Sequence, residues 1–379
     1  MHLAVAAVAA FVLAADLPAG QIVPEVVCAG DSSQSYALYV PRAYTAARAW
    51  PVIFAFDPGA RGRVPVERYE AAAERYGFIV AGSNNSRNGS GENSKAIVAM
   101  TGDVLSRFSI DERRIYLAGM SGGSRVALGV ALGSPKDRVA GVIASSAGYP
   151  DGKIRKTLPF PIFATAGTED FNHLEMRQLD RALTSPHRLA IFDGGHVWLS
   201  SELAIEAVEW MELQAMKSGL KPRDEGEIDQ LFARRQAAAD AAKADKDRFL
   251  ALQAIAEDFD RLKDVRAIAA RAAELGRDKN VRAALKRDRE EDDREESMLN
   301  DIGMAEARLG SSAEDRSDAL TQLRRRWKDL SDTAHSQDDS PARRLARRVL
   351  AGLSASVTTS DPDYLRIINQ YRVARPGRP

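Results

Sequence analysis

From residue 33 to about residue 213, short runs of β-branched and aromatic residues alternate with amphipathic stretches of about ten residues or more. This is the pattern that βαβ units of a parallel sheet write into a chain. The strand runs fall at 36–40, 52–56, 78–82, 114–118, 139–145, 161–165 and 188–192, and the helical stretches at 66–76, 95–108, 122–132, 174–184 and 200–216. Runs such as Ile115-Tyr116-Leu117-Ala118 and Gly141-Val142-Ile143-Ala144 are apolar without alternation, as expected where helices cover both faces of a sheet. After about Lys217 strand-like runs vanish and Ala, Arg, Glu, Asp and Leu dominate. The expected fold class is therefore α/β, a mostly parallel sheet with helices on both faces, followed by an all-α domain of helical hairpins.

At 379 residues the chain exceeds what one core ordinarily serves, which agrees with that partition. The expected domains are a leader at 1–19, the α/β domain at 20–220 and the helical domain at 221–379, with Lys221-Pro222 through Gly226 as the linker. Helices are expected at 228–242, 246–262, 265–275, 281–309, 313–330, 341–354 and 362–374. The charge run 287–296 reads as a solvated helix face. The paired arginines 343–344 and 347–348 read as surface and core packing at helical spacing. Such mixed-charge helices suit a lid, a self-association surface or a docking platform for a protein partner.

Composition narrows the chemistry. Basic and acidic residues balance at 53 each, which argues against nucleic acid as a partner. The single cysteine, Cys28, allows no intrachain disulfide and no multi-cysteine metal site, and its expected role is that of a small buried hydrophobe. Residues 1–15 are almost wholly apolar and end in small residues, which resembles a secretory leader and implies export to the periplasm or the extracellular space. No later stretch is apolar for the ~20 residues a membrane span needs, so no stable span is expected.

The pentapeptide Gly119-Met120-Ser121-Gly122-Gly123 follows one of the apolar strand runs directly and precedes a helical stretch. In that setting Gly-x-Ser-x-Gly makes a tight strand-to-helix turn that lifts a serine hydroxyl into reach of a base. Ser121 is thus the candidate nucleophile, and the Gly122 N–H at the helix start is a candidate oxyanion donor. Met120 and Trp198 are the candidate pocket residues, with plain packing an equal reading for Trp198.

An acid and a histidine should follow on later strand-end loops. The strand at 161–165 leads into Ala166-Gly167-Thr168-Glu169-Asp170, where Asp170 is the favoured acid over Glu169 and Asp193. The strand at 188–192 leads into Asp193-Gly194-Gly195-His196-Val197-Trp198. Of the five histidines, His2 is in the leader and His335 in the helical region. His187 begins a turn and His173 is expected to face solvent or substrate, which leaves His196 as the base. The loop after 52–56, Asp57-Pro58-Gly59-Ala60-Arg61-Gly62, either supplies a second oxyanion donor from Gly59 or Ala60 or is a turn that ends its strand. Pro58 has no N–H to give.

With those residues the chain, over roughly 35–216, resembles the α/β-hydrolase serine esterases of the polyhydroxybutyrate depolymerase, feruloyl esterase and dienelactone hydrolase type. Gly194-Gly195-His196-Val197-Trp198 looks like the Gly-Gly-His-x-Trp segment of the first two. The sequence departs from them at Phe56-Asp57-Pro58-Gly59, where that group usually carries a His-Gly segment. The resemblance implies hydrolysis of small-molecule or polymer-borne carboxylic esters through a seryl ester, with no cofactor and no metal. Two other readings stand beside it: a serine peptidase of prolyl-oligopeptidase type, and a non-catalytic module that recruits a partner through its helices. The helical region itself resembles degenerate tetratricopeptide-type helix pairs, without a fixed period.

Overall fold

A computed structural model describes residues 17–355 and 359–371. Of the expected leader at 1–19, residues 1–16 lie outside them, as does the end of the last expected helix, 372–374. Among the described residues no helix is long and apolar enough to cross a membrane.

The strands are β1 (Ile22–Cys28), β2 (Asp31–Tyr39), β3 (Trp50–Phe56), β4 (Ile79–Ser83), β5 (Ile110–Met120), β6 (Gly141–Ser145), β7 (Ile162–Gly167) and β8 (His187–Phe192). They form one eight-stranded sheet in the order β1-β2-β4-β3-β5-β6-β7-β8. Pairing is antiparallel at β1–β2 and β2–β4 and parallel at β3–β4, β3–β5 and β7–β8. The antiparallel leading edge and the parallel pairs beyond it give the mostly parallel, helix-covered sheet expected from the sequence. Strands β3, β4, β6 and β7 are buried along their whole length, the physical reason their sequences are apolar without alternation. The strand not anticipated is β1. It carries Pro24 and several exposed positions, tolerable because an edge strand need not donate every N–H to a ladder.

Interleaved with the strands are α1 (Arg63–Tyr76), α2 (Asn93–Arg107), α3 (Gly122–Gly133), α4 (His173–Ala182) and α5 (Ser201–Ser218). The helical region holds α6 (Glu225–Ala241), α7 (Asp245–Phe259), α8 (Arg266–Leu275), α9 (Lys279–Ala307), α10 (Ala313–Ala334), α11 (Pro341–Ala355) and α12 (Pro362–Tyr371). It has two apolar centres. Leu213 and Met216 of α5 join Ile228, Leu252, Ile255 and Phe259 in one, and Trp327, Leu350, Tyr364 and Ile367 lie in the other. Asp224 caps α6, Asp278 caps α9 and Ser312 caps α10, each side-chain oxygen accepting an N–H of the first turn.

The chain divides into two compact units. One comprises Met1–Ile143 with Ser200–Val208, and the other Ala144–Leu199 with Glu209–Pro379. Within the second unit, buried carboxylates of the helical region meet cations from the α/β part. Asp258 of α7 accepts from Arg188 of β8 (2.5 Å), from Arg235 (2.5 Å) and from the indole N–H of Trp210 (2.6 Å). Asp292 of α9 accepts from Arg177 (3.0 Å) and Arg181 (2.7 Å) of α4.

This corrects the reading of 287–296 as a solvated face throughout, since Asp292 and Glu295 are both buried. Three residues apart on α9, they share a face, and each keeps its charge out of water by meeting a guanidinium. Cys28 is buried as expected. Burial, with the negative charge of Asp103 adding, pushes its thiol up to about 11.

Candidate active site

Ser121 stands between β5 and α3 with φ 55° and ψ −125°. An L-residue with positive φ and that ψ lies outside even the left-handed helical region, a strain of order 1–3 kcal/mol that the surroundings must impose. The surroundings are backbone. A Cβ on Gly119 would fall 2.2 Å from the Gly123 carbonyl oxygen, and one on Gly123 would fall 1.9 Å from that of Phe56. Glycine at both positions lets the turn press against β3, and the serine takes the strain. The Ser121 carbonyl accepts from the N–H groups of Ser124 (2.9 Å) and Arg125 (3.2 Å), which starts α3. The N–H of Gly122 is the first of α3, at the end of the helix where the dipole favours negative charge. Met120, just before the serine, is buried.

Two neighbouring loops meet this elbow. The Gly122 Cα faces the Asn88 side chain so closely that a Cβ there would lie 1.6 Å from Asn88 Oδ1. The Asn88 N–H in turn donates to Pro58 O at 2.9 Å, and Gly59 bridges to Arg87. Asn88 was not anticipated, and no spacing in the sequence brings it to the serine.

In the loop after β3, the fully buried Asp57 organises everything. Its Oδ1 accepts from the N–H of Gly59 (2.8 Å) and from Arg61 Nε (2.9 Å), and its carbonyl accepts from the N–H of Ala60 (3.2 Å). Both expected second donors are thus engaged inside their own turn. For either to serve an oxyanion, its bond to Asp57 must be released.

In the second unit, the loops after β7 and β8 are bound together. Thr168 N–H donates to Phe192 O (2.9 Å), Glu169 N–H to Gly194 O (2.8 Å), and Thr168 Oγ1 to Asp193 Oδ1 (3.1 Å). The approach is close enough that a Cβ on Gly167 would fall 2.3 Å from Gly194 O and 2.5 Å from Gly195 O. The result is a hydrogen bond of 2.7 Å from His196 Nδ1 to Asp170 Oδ1, with the Asp170 side chain fully buried and that of His196 19 % exposed. A carboxylate oxygen only accepts, so His196 Nδ1 is the donor in this bond. The same Oδ1 accepts from the Asn172 N–H at 2.8 Å, and Asn172 Nδ2 donates to Ser146 O at 2.6 Å. Phe171 stacks on the His196 ring, centroids 3.9 Å apart and planes 28° apart. Neither Phe171 nor Asn172 was anticipated; adjacency to the acid was the one available signal. Glu169 turns instead to Arg347, and Trp198 is buried.

His173 departs from its expected place. It is buried at the start of α4, with Nδ1 3.0 Å from Gly167 O, and burial is what the apolar neighbours Leu174 and Met176 bring with them. That burial, helped by the charge of Arg348 and opposed by the Gly167 bond, pulls the imidazolium down to about 4 from an ordinary value of about 6.5. Above pH 6.5 both folded and unfolded forms are neutral here. As the pH falls from about 6.5 towards 4 the unfolded chain binds a proton that the folded chain refuses, so stability declines across that window. His173→Gln is expected to flatten this decline. The check is urea unfolding of both proteins at about pH 7 and pH 5, and an identical drop in the two would show that other groups set the slope.

No protein-family model and no curated protein matches this sequence. The feruloyl esterase module of Clostridium thermocellum is similar in structure at 14 % identity and a TM-score of 0.38, over 50 % of this chain and 85 % of that one. A thermophilic esterase of Thermogutta terrifontis, solved with propionate bound, is similar at 14 % identity and a TM-score of 0.38, over 55 % of this chain and 98 % of that one.

Proposed function

We propose that the protein is a serine hydrolase of carboxylic esters in which Ser121 is the nucleophile, His196 the general base and acid, and Asp170 the orienting carboxylate. The observation that carries this reading is the backbone of Ser121, a strained positive-φ serine on a glycine-walled turn between a parallel strand and a helix N-terminus. Such strain is retained where a side chain must be presented, and a structural turn would relieve it with glycine. The 2.7 Å bond between His196 and a fully buried Asp170 supports the other two roles.

In the proposed cycle Ser121 Oγ attacks the ester carbonyl carbon while His196 Nε2 takes the hydroxyl proton. Asp170 holds the tautomer and stabilises the imidazolium. The Gly122 N–H and the positive end of α3 face the oxygen on which negative charge develops. Collapse breaks the bond to the alcohol, which leaves with the proton from His196. A water molecule, deprotonated by the same nitrogen, then attacks the seryl ester carbon, and that proton passes from His196 to Ser121 Oγ as the acyl–oxygen bond breaks and the acid leaves. Met120 and Trp198 are proposed to border the acyl pocket, and the leader at residues 1–19 to direct export.

The test is covalent labelling with a fluorophosphonate followed by peptide mass analysis. The expected product is a single phosphonylated peptide containing Ser121. No adduct, or an adduct on another serine, overturns the assignment. Turnover of p-nitrophenyl butyrate but not of prolyl peptide anilides is expected of an esterase, and the reverse favours a peptidase.

A further inference from the structure

Helix α11 presents three consecutive contacts to the loop that carries Asp170. Arg347 Nη1 donates to both carboxylate oxygens of Glu169, at 3.0 and 3.1 Å. Arg348 Nη1 donates to the carbonyl oxygen of Thr168 at 2.8 Å. One turn further on, Gly352 lies against Phe171, where a Cβ would meet the Phe171 Cβ at 3.4 Å. The residues gripped, 168, 169 and 171, bracket Asp170 on both sides, and the last of them stacks on His196.

The grip is itself anchored. Arg348 is 2 % exposed, and its Nε and Nη2 donate to Glu295 Oε2 of α9 (3.0 and 2.6 Å) while Nη2 also reaches Glu291 (3.1 Å). Arg347 Nε donates to the carbonyl of Ala334 at the end of α10 (3.1 Å). Each arginine therefore has one hand on the helical bundle and one on the acid loop. A strand-end loop left to itself is among the more easily opened parts of a fold. A catalytic hydrogen bond tolerates about half an ångström of play.

Resting on the serine hydrolase reading above, we propose that α11 is a positioning element of the active site: Arg347 and Arg348 fix the loop 168–171 so that Asp170 holds His196, and the helical region is needed for turnover without touching substrate. Arg347 and Arg348 are positioning residues. Glu169, a rival for the acid in the sequence, acquires a role of its own as the handle by which α11 holds the loop.

The experiment compares the full-length wild type with Arg347→Gln, Arg347→Lys, Glu169→Gln, the double variant Arg347→Gln/Glu169→Gln and a control, Arg316→Gln. The control breaks an ion pair with Asp361 and Asp363 inside the helical region, away from the acid loop. Arg347→Gln is chosen over Arg348 because its side chain is 29 % exposed and its loss is more easily borne by the fold. Each protein is first shown to be folded by its melting curve, then assayed with p-nitrophenyl butyrate and titrated with fluorophosphonate.

Expected is a kcat lowered about 10- to 100-fold in Arg347→Gln with KM within about twofold, the size that a misplaced catalytic group produces. Partial recovery is expected in Arg347→Lys, with the double variant no worse than either single one because both break the same contact. The low-field proton resonance of the His196–Asp170 bond should broaden in Arg347→Gln and stay sharp in Arg316→Gln. Wild-type kcat in Arg347→Gln, or equal losses in Arg347→Gln and Arg316→Gln, overturns the positioning role and leaves the hydrolase reading intact. A wild type that takes no fluorophosphonate overturns the hydrolase reading itself.

Discussion

Ser121→Ala is expected to lower kcat for p-nitrophenyl acetate and butyrate by on the order of 10⁶-fold, with His196→Ala close behind it and the pair together no worse than either alone. The near-equality follows from the chemistry. A hydroxyl without its base is a poor nucleophile, and a base without the hydroxyl has no proton to take, so each substitution removes the same step. What remains, ~10³–10⁴ over water, would come from binding and from oxyanion donors such as the Gly122 N–H, which both variants keep. The fold should tolerate the serine change well, because the positive φ at 121 is imposed by the walls of the turn and the alanine Cβ sits where the serine Cβ did. A melting temperature within a few degrees of wild type, beside lost activity, separates chemistry from unfolding. Residual activity above a hundredth of wild type in Ser121→Ala would move the nucleophile elsewhere.

The parts of this molecule legible in the sequence are those whose physics is local. Strands β3, β4, β6 and β7 announced themselves as apolar runs because a strand buried along its whole length is apolar on both faces, and the described α-helices lie within a few residues of where the spacing of apolar residues placed them. Ser121, Asp170 and His196 stood out because each follows a strand run on a short loop with its glycines beside it. Strand β1 escaped because an edge strand with a proline and exposed positions has no such signature.

What the sequence hid is long-range. Asn88 meets Gly122, Phe171 meets His196 and Arg348 meets Thr168 only because separate loops are folded against one another. Asp292 and Glu295 sit in a run of acids and bases that reads as a wet surface, and nothing in their neighbours marks them as the two that are buried. A buried charge is recognised by its partner, and the partner is up to 180 residues away, as for Arg348 and Thr168. Hence the candidate site residues were legible in three short loops, while the side chains packed against the Asp170 loop were not.

Asp170→Asn tests that acid half directly and is expected to lower kcat by on the order of 10²–10⁴-fold with KM little changed. Asp170 Oδ1 now accepts two hydrogen bonds, from the Asn172 N–H at 2.8 Å and from His196 Nδ1 at 2.7 Å. An asparagine can place its oxygen at that point, and then a neutral acceptor replaces the carboxylate and the imidazolium loses its counter-charge at the moment Ser121 gives up its proton. Alternatively it can place its NH₂ there, and then His196 must accept at Nδ1 and carry its own proton on Nε2, where it can no longer serve as a base. The second arrangement also sets the Asn172 N–H against another donor, so the loop resists it. The smaller losses correspond to the first orientation and the larger to the second. Fluorophosphonate labelling should slow in parallel with kcat, since both need Ser121 activated. If Asp170→Asn instead turned over within tenfold of wild type, the carboxylate would not be the orienting acid. Glu169→Gln would then be the variant to watch, with the grip of Arg347 on that residue read as holding the acid itself.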